Sequence, residues 1–399
     1  MKRALALAGA MITLIVGALG IAAATPSPSA SPGLINWAKW QHLQGVFDLG
    51  LQADGTGLIA EGTELLFTIS PAGIIAAINT GSSYQGVPGF EAYFAVSAGE
   101  PTAGTCRFQH GAIYVINPRA SKQVLEVDPN TGHPQLFATV PGVDSLNGIG
   151  FDGGGSFGDH PLLVTGPAGG KAVVAAIDCH GDVKSVTNTA PRMEGGISVA
   201  PDTFGAHAGE LIATDEISGD IIGIKPSGAT STLVNLAHPT GGDLGVESSG
   251  FVPRDFLKNG GFAYLADRGT ANNPHPGTDS ILRLTSAQLA AAGVLDGDLV
   301  VATEGGGATV DVTCAATCSL RPIAAGPPTG HIEGHVVFLT NQPGQAPPAQ
   351  RPPSPHPKPS PTPAPTTPRT NPAALGLAGA GILVFVVAVL LAVRRGRAT

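Results

Sequence analysis

Residues 147–164 read NGIGFDGGGSFGDHPLLV, and Gly148, Gly150 and Gly153 match G-x-G-x-x-G, the letter pattern of a dinucleotide-binding turn. That turn works only when a helix opens on the last glycine, because the helix N-terminus holds the pyrophosphate. Here the chain runs through GGSFGDHP into the apolar LLV, with no helical pattern. The stretch therefore predicts a glycine-led strand, a loop and a second strand.

Working outward, the same unit recurs. Apolar segments begin at Glu64 (ELLFTIS), Ala112 (AIYVINP), Pro161 (PLLVTG), Glu210 (ELIATDE) and Phe262 (FAYLADR), 48, 49, 49 and 52 residues apart. Each is followed by a second segment (IIAAIN, QVLEVD, VVAAID, DIIGIK, SILRLT) and a third (FEAYFAVS, QLFATV, DVKSVTN, STLVNLA, DLVVATE). Glycine-containing runs precede the first segments, clearest in NGIGFD, GGISVAP and SSGFVP. Four short strands in about 50 residues is the content of a propeller blade. The sequence thus predicts an all-β protein, a six-bladed β-propeller over 33–341, with a seven-bladed ring as the alternative. An open ring leaves bare sheet edges, so strands from both termini are expected to close it: GHIEGHVVFLT at 330–340 and the region QGVFDLGLQADG at 44–55. After Leu284 the repeat blurs; SAQLAAAGV reads as a helical insertion and TVDVTCAATCSL fits no unit.

The flanks read differently. Residues 1–24 combine a basic start, an apolar run and Ala22-Ala23-Ala24, the pattern of a cleaved signal peptide, with an uncleaved anchor as the alternative. Residues 342–372 are a proline-rich stalk with a polyproline reach on the order of 90 Å. Residues 373–393 are uncharged and long enough for a transmembrane helix. Arg394, Arg395 and Arg397 follow, which assigns 394–399 to the cytoplasm and the propeller to the outside. Thr367-Pro368-Arg369-Thr370-Asn371 resembles a degenerate L-P-x-T-G sorting signal, making sortase-type wall attachment the alternative to a membrane anchor. The 399 residues carry a net charge of −8, with 13% charged residues, 56 Gly and 35 Pro. That balance suits a loop-rich exported protein and gives no basic surface for nucleic acid.

Four residue groups invite chemistry. Cys314 and Cys318, in TCAATC, are expected to form a disulfide outside the cell; Cys106, placed in an inner strand, and Cys179, at a turn, are either a second bridge or two buried thiols. His331, Glu333 and His335 alternate, so a regular strand would present all three on one face, as a zinc site or as a solvated polar face. Tyr264, Asp267 and Arg268 fall at a strand end, as a binding face or a solvated turn. No G-x-S-x-G elbow is present.

The glycine-led inner strands, the Asp and Asn turns and the run LNGIGFD resemble the NHL-repeat and SMP-30/gluconolactonase-like propellers. The resemblance implies a divalent cation, Ca²⁺ or another, on the channel axis, held by acid and amide groups at inner-strand starts. Asn147, Glu194 and Glu247 stand there, and Glu333 in IEGHVVF matches the Glu of the family's E-G-P-x-W, with His335 in place of Pro. The family's catalytic Asp has no match. Two functions follow as expectations: a cell-surface module binding an extracellular ligand or protein, and a metal-dependent lactonase- or esterase-type hydrolase. A purely structural surface module is a third.

Overall fold

A computed structural model describes residues 34–78, 84–101, 106–236 and 245–341. The signal peptide, stalk, transmembrane segment and tail expected from the sequence lie outside them. Among the described residues no helix is long and apolar enough to cross a membrane.

The fold is all-β and propeller-like. Four sheets have four antiparallel strands each, in chain order. The first holds Asp48–Leu51, Leu58–Gly62, Leu65–Ile69 and Ile75–Ala77. The second holds Phe94–Val96, Ile113–Ile116, Gln123–Val127 and Pro134–Thr139. Gly148–Phe151, Leu162–Ala168, Lys171–Ile177 and Val183–Ala190 form the third; Glu194–Val199, Leu211–Asp215, Asp220–Ile224 and Thr230–Asn235 form the fourth.

A nine-stranded sheet completes the structure, in the order Ile35–Asn36, Cys318–Ala325, Thr309–Cys314, Leu299–Thr303, Val246–Phe251, Ile332–Thr340, Gly261–Asp267, Ser280–Thr285 and Ala38–His42. It contains two runs, antiparallel except where the short Ile35–Asn36 lies parallel to Cys318–Ala325, joined at the parallel pair of Ser249 with His335. The innermost strands, Asp48–Leu51, Phe94–Val96, Gly148–Phe151, Glu194–Val199, Val246–Phe251 and Ile332–Thr340, each lie against the next, and the last lies against the first.

Local chemistry explains the turns. In Asp128-Pro-Asn-Thr-Gly, Asp128 Oδ1 accepts the backbone N–H groups of Asn130 (2.8 Å) and Thr131 (3.0 Å). Asp178 does the same for His180 and Asp182, both at 2.9 Å. Such Asx turns reverse the chain between strands whose apolar residues face neighbouring sheets. The core lies in layers between sheets: Ile59 and Ile113 between the first and second, Ile149 and Val164 with Tyr114 between the second and third. Leu282 and Val300 pack between the two runs of the large sheet.

The opening stretch is structural. Gly148–Phe151 is an inner strand, and a Cβ on Gly150 would meet the Ile197 carbonyl oxygen at 2.8 Å, so glycine lets two inner strands converge. Asp152 then closes the loop on itself, accepting from the N–H groups of Gly154 (3.0 Å), Gly155 (2.9 Å) and Phe157 (2.6 Å). The amides that would cradle a phosphate are already bonded.

Three sequence readings need correction. ELLFTIS is the third strand of its sheet, not the first repeat segment; Leu58–Gly62 takes that place, and FEAYFAVS supplies the inner strand of the next sheet. The fifth unit is split. SSGFVP pairs with Leu299–Thr303, while FAYLADR and SILRLT pair with each other beside Ile332–Thr340. Both termini do share one sheet, but the N-terminal strands in it are Ile35–Asn36 and Ala38–His42, and VFDLGL carries the inner strand of the first sheet. Adjacency in sequence misleads here because the hairpin 261–285 is inserted between two strands that pair with each other. The insertion SAQLAAAGV is helical at Ser286–Ala291, with Thr285 and Gln288 forming a capping box.

Candidate functional site

Acidic groups gather at the end of the channel where the inner strands begin. Glu247, 4% exposed on Val246–Phe251, accepts a hydrogen bond from the Tyr93 hydroxyl and contacts the carboxyl of Glu333, 1% exposed on Ile332–Thr340. Glu333 Oε1 accepts from Arg268 Nη1 at 3.1 Å and from His331 Nε2 at 3.0 Å. His331 Nε2 also lies 3.1 Å from Glu304 Oε1. Arg268 Nη1 reaches Glu91 at 2.9 Å, and its guanidinium stacks on Phe47, 5.2 Å from the ring centre.

Charge is distributed unevenly over this group. Burial raises the Glu247 carboxyl well above the usual range, and the Glu333 and Glu304 charges add to it. Burial acts the same way on Glu333, but the His331 hydrogen bond and the Arg268 charge outweigh it and hold Glu333 low. Glu91 is pushed up to about 7, first by loss of water at the channel wall and then by Glu333, with Arg268 opposing. Its side chain is still 43% exposed, so it is the acid of this group that meets solvent.

Two faced carboxyl groups need a shared proton or a cation between them. Glu333 Oε2 is buried and has no hydrogen-bond donor among the described residues unless Glu247 carries the proton between them, and His331 Nδ1 is buried with no partner among those residues. The ligand atoms of Glu304, His331 and Glu333 all lie within 4.8 Å of one another. Carboxylate oxygens with one imidazole fit a divalent cation, and the orphaned oxygen is what such an ion would satisfy.

Of the sequence candidates, Glu247 and Glu333 come together. Glu194 faces the same end but pairs with Arg192 at 2.8 Å. Asn147 turns aside, its amide donating to the Met193 carbonyl at 2.9 Å. The zinc face fails. The strand bulges at Gly334, which has φ +72°, so His331 joins Glu333 while His335 points to Asp48, with Nδ1 2.9 Å from Oδ1. Asp267 is buried at the end of Gly261–Asp267, accepting from Thr278 and from the His331 N–H, and Tyr264 is a core residue; of that trio only Arg268 reaches the site.

Glu91, Tyr93 and Glu304 were invisible in the sequence. FEAYFAVS reads by its spacing as the third segment of its unit, whereas it carries an inner strand, and Glu91 stands three residues ahead of that strand, Phe94–Val96. Both cysteine pairs form disulfides: Cys314–Cys318 closes the hairpin turn, and Cys106–Cys179, with Cα atoms 6.0 Å apart, links the loop after Phe94–Val96 to the turn after Lys171–Ile177. Cys106 thus lies in a loop rather than an inner strand.

No family model matches the chain, and no curated protein matches it in sequence. Among solved structures it is similar to streptogramin B lyase, at 12% identity and TM-score 0.42, covering 78% of this chain and 97% of that one. It is similar also to virginiamycin B lyase from Staphylococcus aureus, at 14% identity and TM-score 0.38, covering 72% and 89%. A candidate gluconolactonase follows at 10% identity and TM-score 0.39, covering 77% and 96%. These are likenesses of chain course alone; the strand order above carries the conclusion that the chain is an all-β, propeller-like protein.

Proposed function

We propose that this protein is a metal-dependent hydrolase of lactones or other esters, displayed outside the cell on a membrane-anchored stalk. The observation that carries the reading is the Glu247–Glu333 pair, with an orphaned carboxylate oxygen beside His331 and Glu304. We read the fold as six-bladed. The closed succession of six inner strands and the parallel pair Ser249–His335, which divides the large sheet, support that count. Two disulfides suit an oxidising compartment.

Glu247, Glu333, Glu304 and His331 would hold the cation, whose chemistry when bound is to polarise a carbonyl and acidify water. Glu91, near neutrality and open to solvent, takes the proton from the water whose oxygen adds to the acyl carbon. The acyl carbon–oxygen bond then breaks, and Glu91 returns that proton to the departing alkoxide. Arg268 lies beside Glu91, where its charge favours the oxyanion that forms between these steps.

The test is metal analysis and turnover of the purified ectodomain against a lactone and ester panel. Stoichiometric divalent metal, with both metal and turnover lost in Glu333→Gln while the fold persists by circular dichroism, is expected. No metal and no turnover on any substrate would sink the enzyme reading and leave the ligand- or protein-binding module in its place.

A further inference from the structure

Tyr93 adjoins Phe94–Val96, the second inner strand of the ring, and its hydroxyl donates to Glu247 on Val246–Phe251, the fifth. Three steps around a ring of six is the opposite wall, so this side chain crosses the channel. His335 crosses it in another direction. From the sixth inner strand its ring reaches Asp48 on the first and the backbone of Ile149 and Ile197 on the third and fourth. The Tyr93 and His335 rings meet edge to face with centres 6.3 Å apart, and Phe47 packs edge to face on Tyr93 at 4.8 Å.

Packing on this scale holds the Tyr93 ring in one place, and the residue is fully buried. A phenylalanine would fill the same space without a polar atom to desolvate, and a buried hydroxyl is costly unless it is bonded. The hydroxyl therefore calls for a reason beyond closing the channel. Burial raises the phenol well above its usual range, so it stays protonated and acts on Glu247 as a donor. With Glu247 Oε1 taken by that donor, the second oxygen is left for Glu333, the carboxyl that Glu247 contacts. We propose that Tyr93 is a positioning residue, whose hydroxyl fixes the rotation of the Glu247 carboxyl so that one oxygen faces the cation site made with Glu333, Glu304 and His331. Metal-binding carboxylates are held by outer hydrogen bonds of this kind. The inference rests on the cation of the hydrolase reading and names the group that orients one of its ligands.

The test uses full-length protein in detergent with Mn²⁺ as the probe, the free ion being counted by electron paramagnetic resonance. Wild type should bind Mn²⁺ stoichiometrically. Tyr93→Phe, with an unchanged circular dichroism spectrum, should bind it about 10- to 100-fold more weakly. If Tyr93→Phe does not fold, NMR of wild type labelled with carbon-13 at tyrosine Cζ reads the same hydroxyl without altering the site. The tyrosines are Tyr84, Tyr93, Tyr114 and Tyr264, and Phe variants of the other three leave the Tyr93 signal identified. Ca²⁺ should shift that signal, because the acceptor of its hydroxyl becomes a metal ligand, and should leave those of Tyr114 and Tyr264 in place. Unchanged Mn²⁺ affinity in folded Tyr93→Phe, or a Tyr93 signal indifferent to bound Ca²⁺, overturns the positioning role alone. No binding of either ion by wild type overturns it together with the cation.

Discussion

Glu91 is the residue on which the proposed chemistry turns. Its carboxyl titrates near 7 because the channel wall strips water from it and Glu333 repels a second charge. As a base it must be ionised, so kcat/KM should rise with pH through about 7 and level off above it. In Glu91→Gln that rise should vanish, with activity lower by about a hundredfold or more; a pH series from acid to mild alkali checks this, and an unchanged profile would exclude Glu91 as the base. Glu247 and Glu333 were legible as inner-strand acids because glycines mark those strands. Glu91 and Glu304 were not, because their importance comes from proximity to Arg268 and His331 and not from any local pattern.

At the scale of elements, cross-links and one buried pair tie the sheets together. The Cys106–Cys179 bridge spans 73 residues and joins the second sheet to the third, whereas Cys314–Cys318 spans 4 within one hairpin. Loop-closure entropy makes the first worth roughly 4 kcal/mol and the second roughly 2. Replacing each pair by serine and measuring unfolding free energy in denaturant should give losses in that order; equal losses would refute the entropic account. The Asp48–His335 pair, with Nδ1 at 2.9 Å, joins the inner strand of the first sheet to Ile332–Thr340. Asp48 is fully buried and also accepts the Phe94 N–H at 3.0 Å. His335→Ala should therefore destabilise the protein by about 1.5–3 kcal/mol, since it removes the imidazole and leaves buried Asp48 with backbone N–H donors alone. A loss within error of zero, read in urea, would show that the pair does not hold these strands. The alternation His331, Glu333, His335 pointed to one face, and a bulge at Gly334 reversed it.

At the scale of the whole molecule, a rigid ring is proposed to stand off a membrane. Full-length protein should fractionate with membranes and dissolve in detergent with its arginine tail intact, while a chain ending at residue 341 should be released in soluble form. Recovery of the full-length protein only after wall digestion would instead favour sortase attachment. Closure of the ring by Ala38–His42 against Ser280–Thr285 makes the N-terminal strand part of the fold, so a truncation beginning after His42 should unfold far more readily than one beginning at residue 33.

The sequence by itself determined the all-β class, the strand–turn rhythm, the hairpin disulfide and two acids of the candidate site. Each of these is written locally, in a turn residue, a glycine or a short apolar run. Only the tertiary structure decided that SSGFVP skips the hairpin that follows it, that Cys106 meets Cys179, and that Glu91, Arg268, His331 and Glu304 surround Glu247 and Glu333. Strand pairing and charge proximity depend on which distant segments pack together, and residues 147–164 carry no record of that beyond the glycines that let neighbouring inner strands draw close.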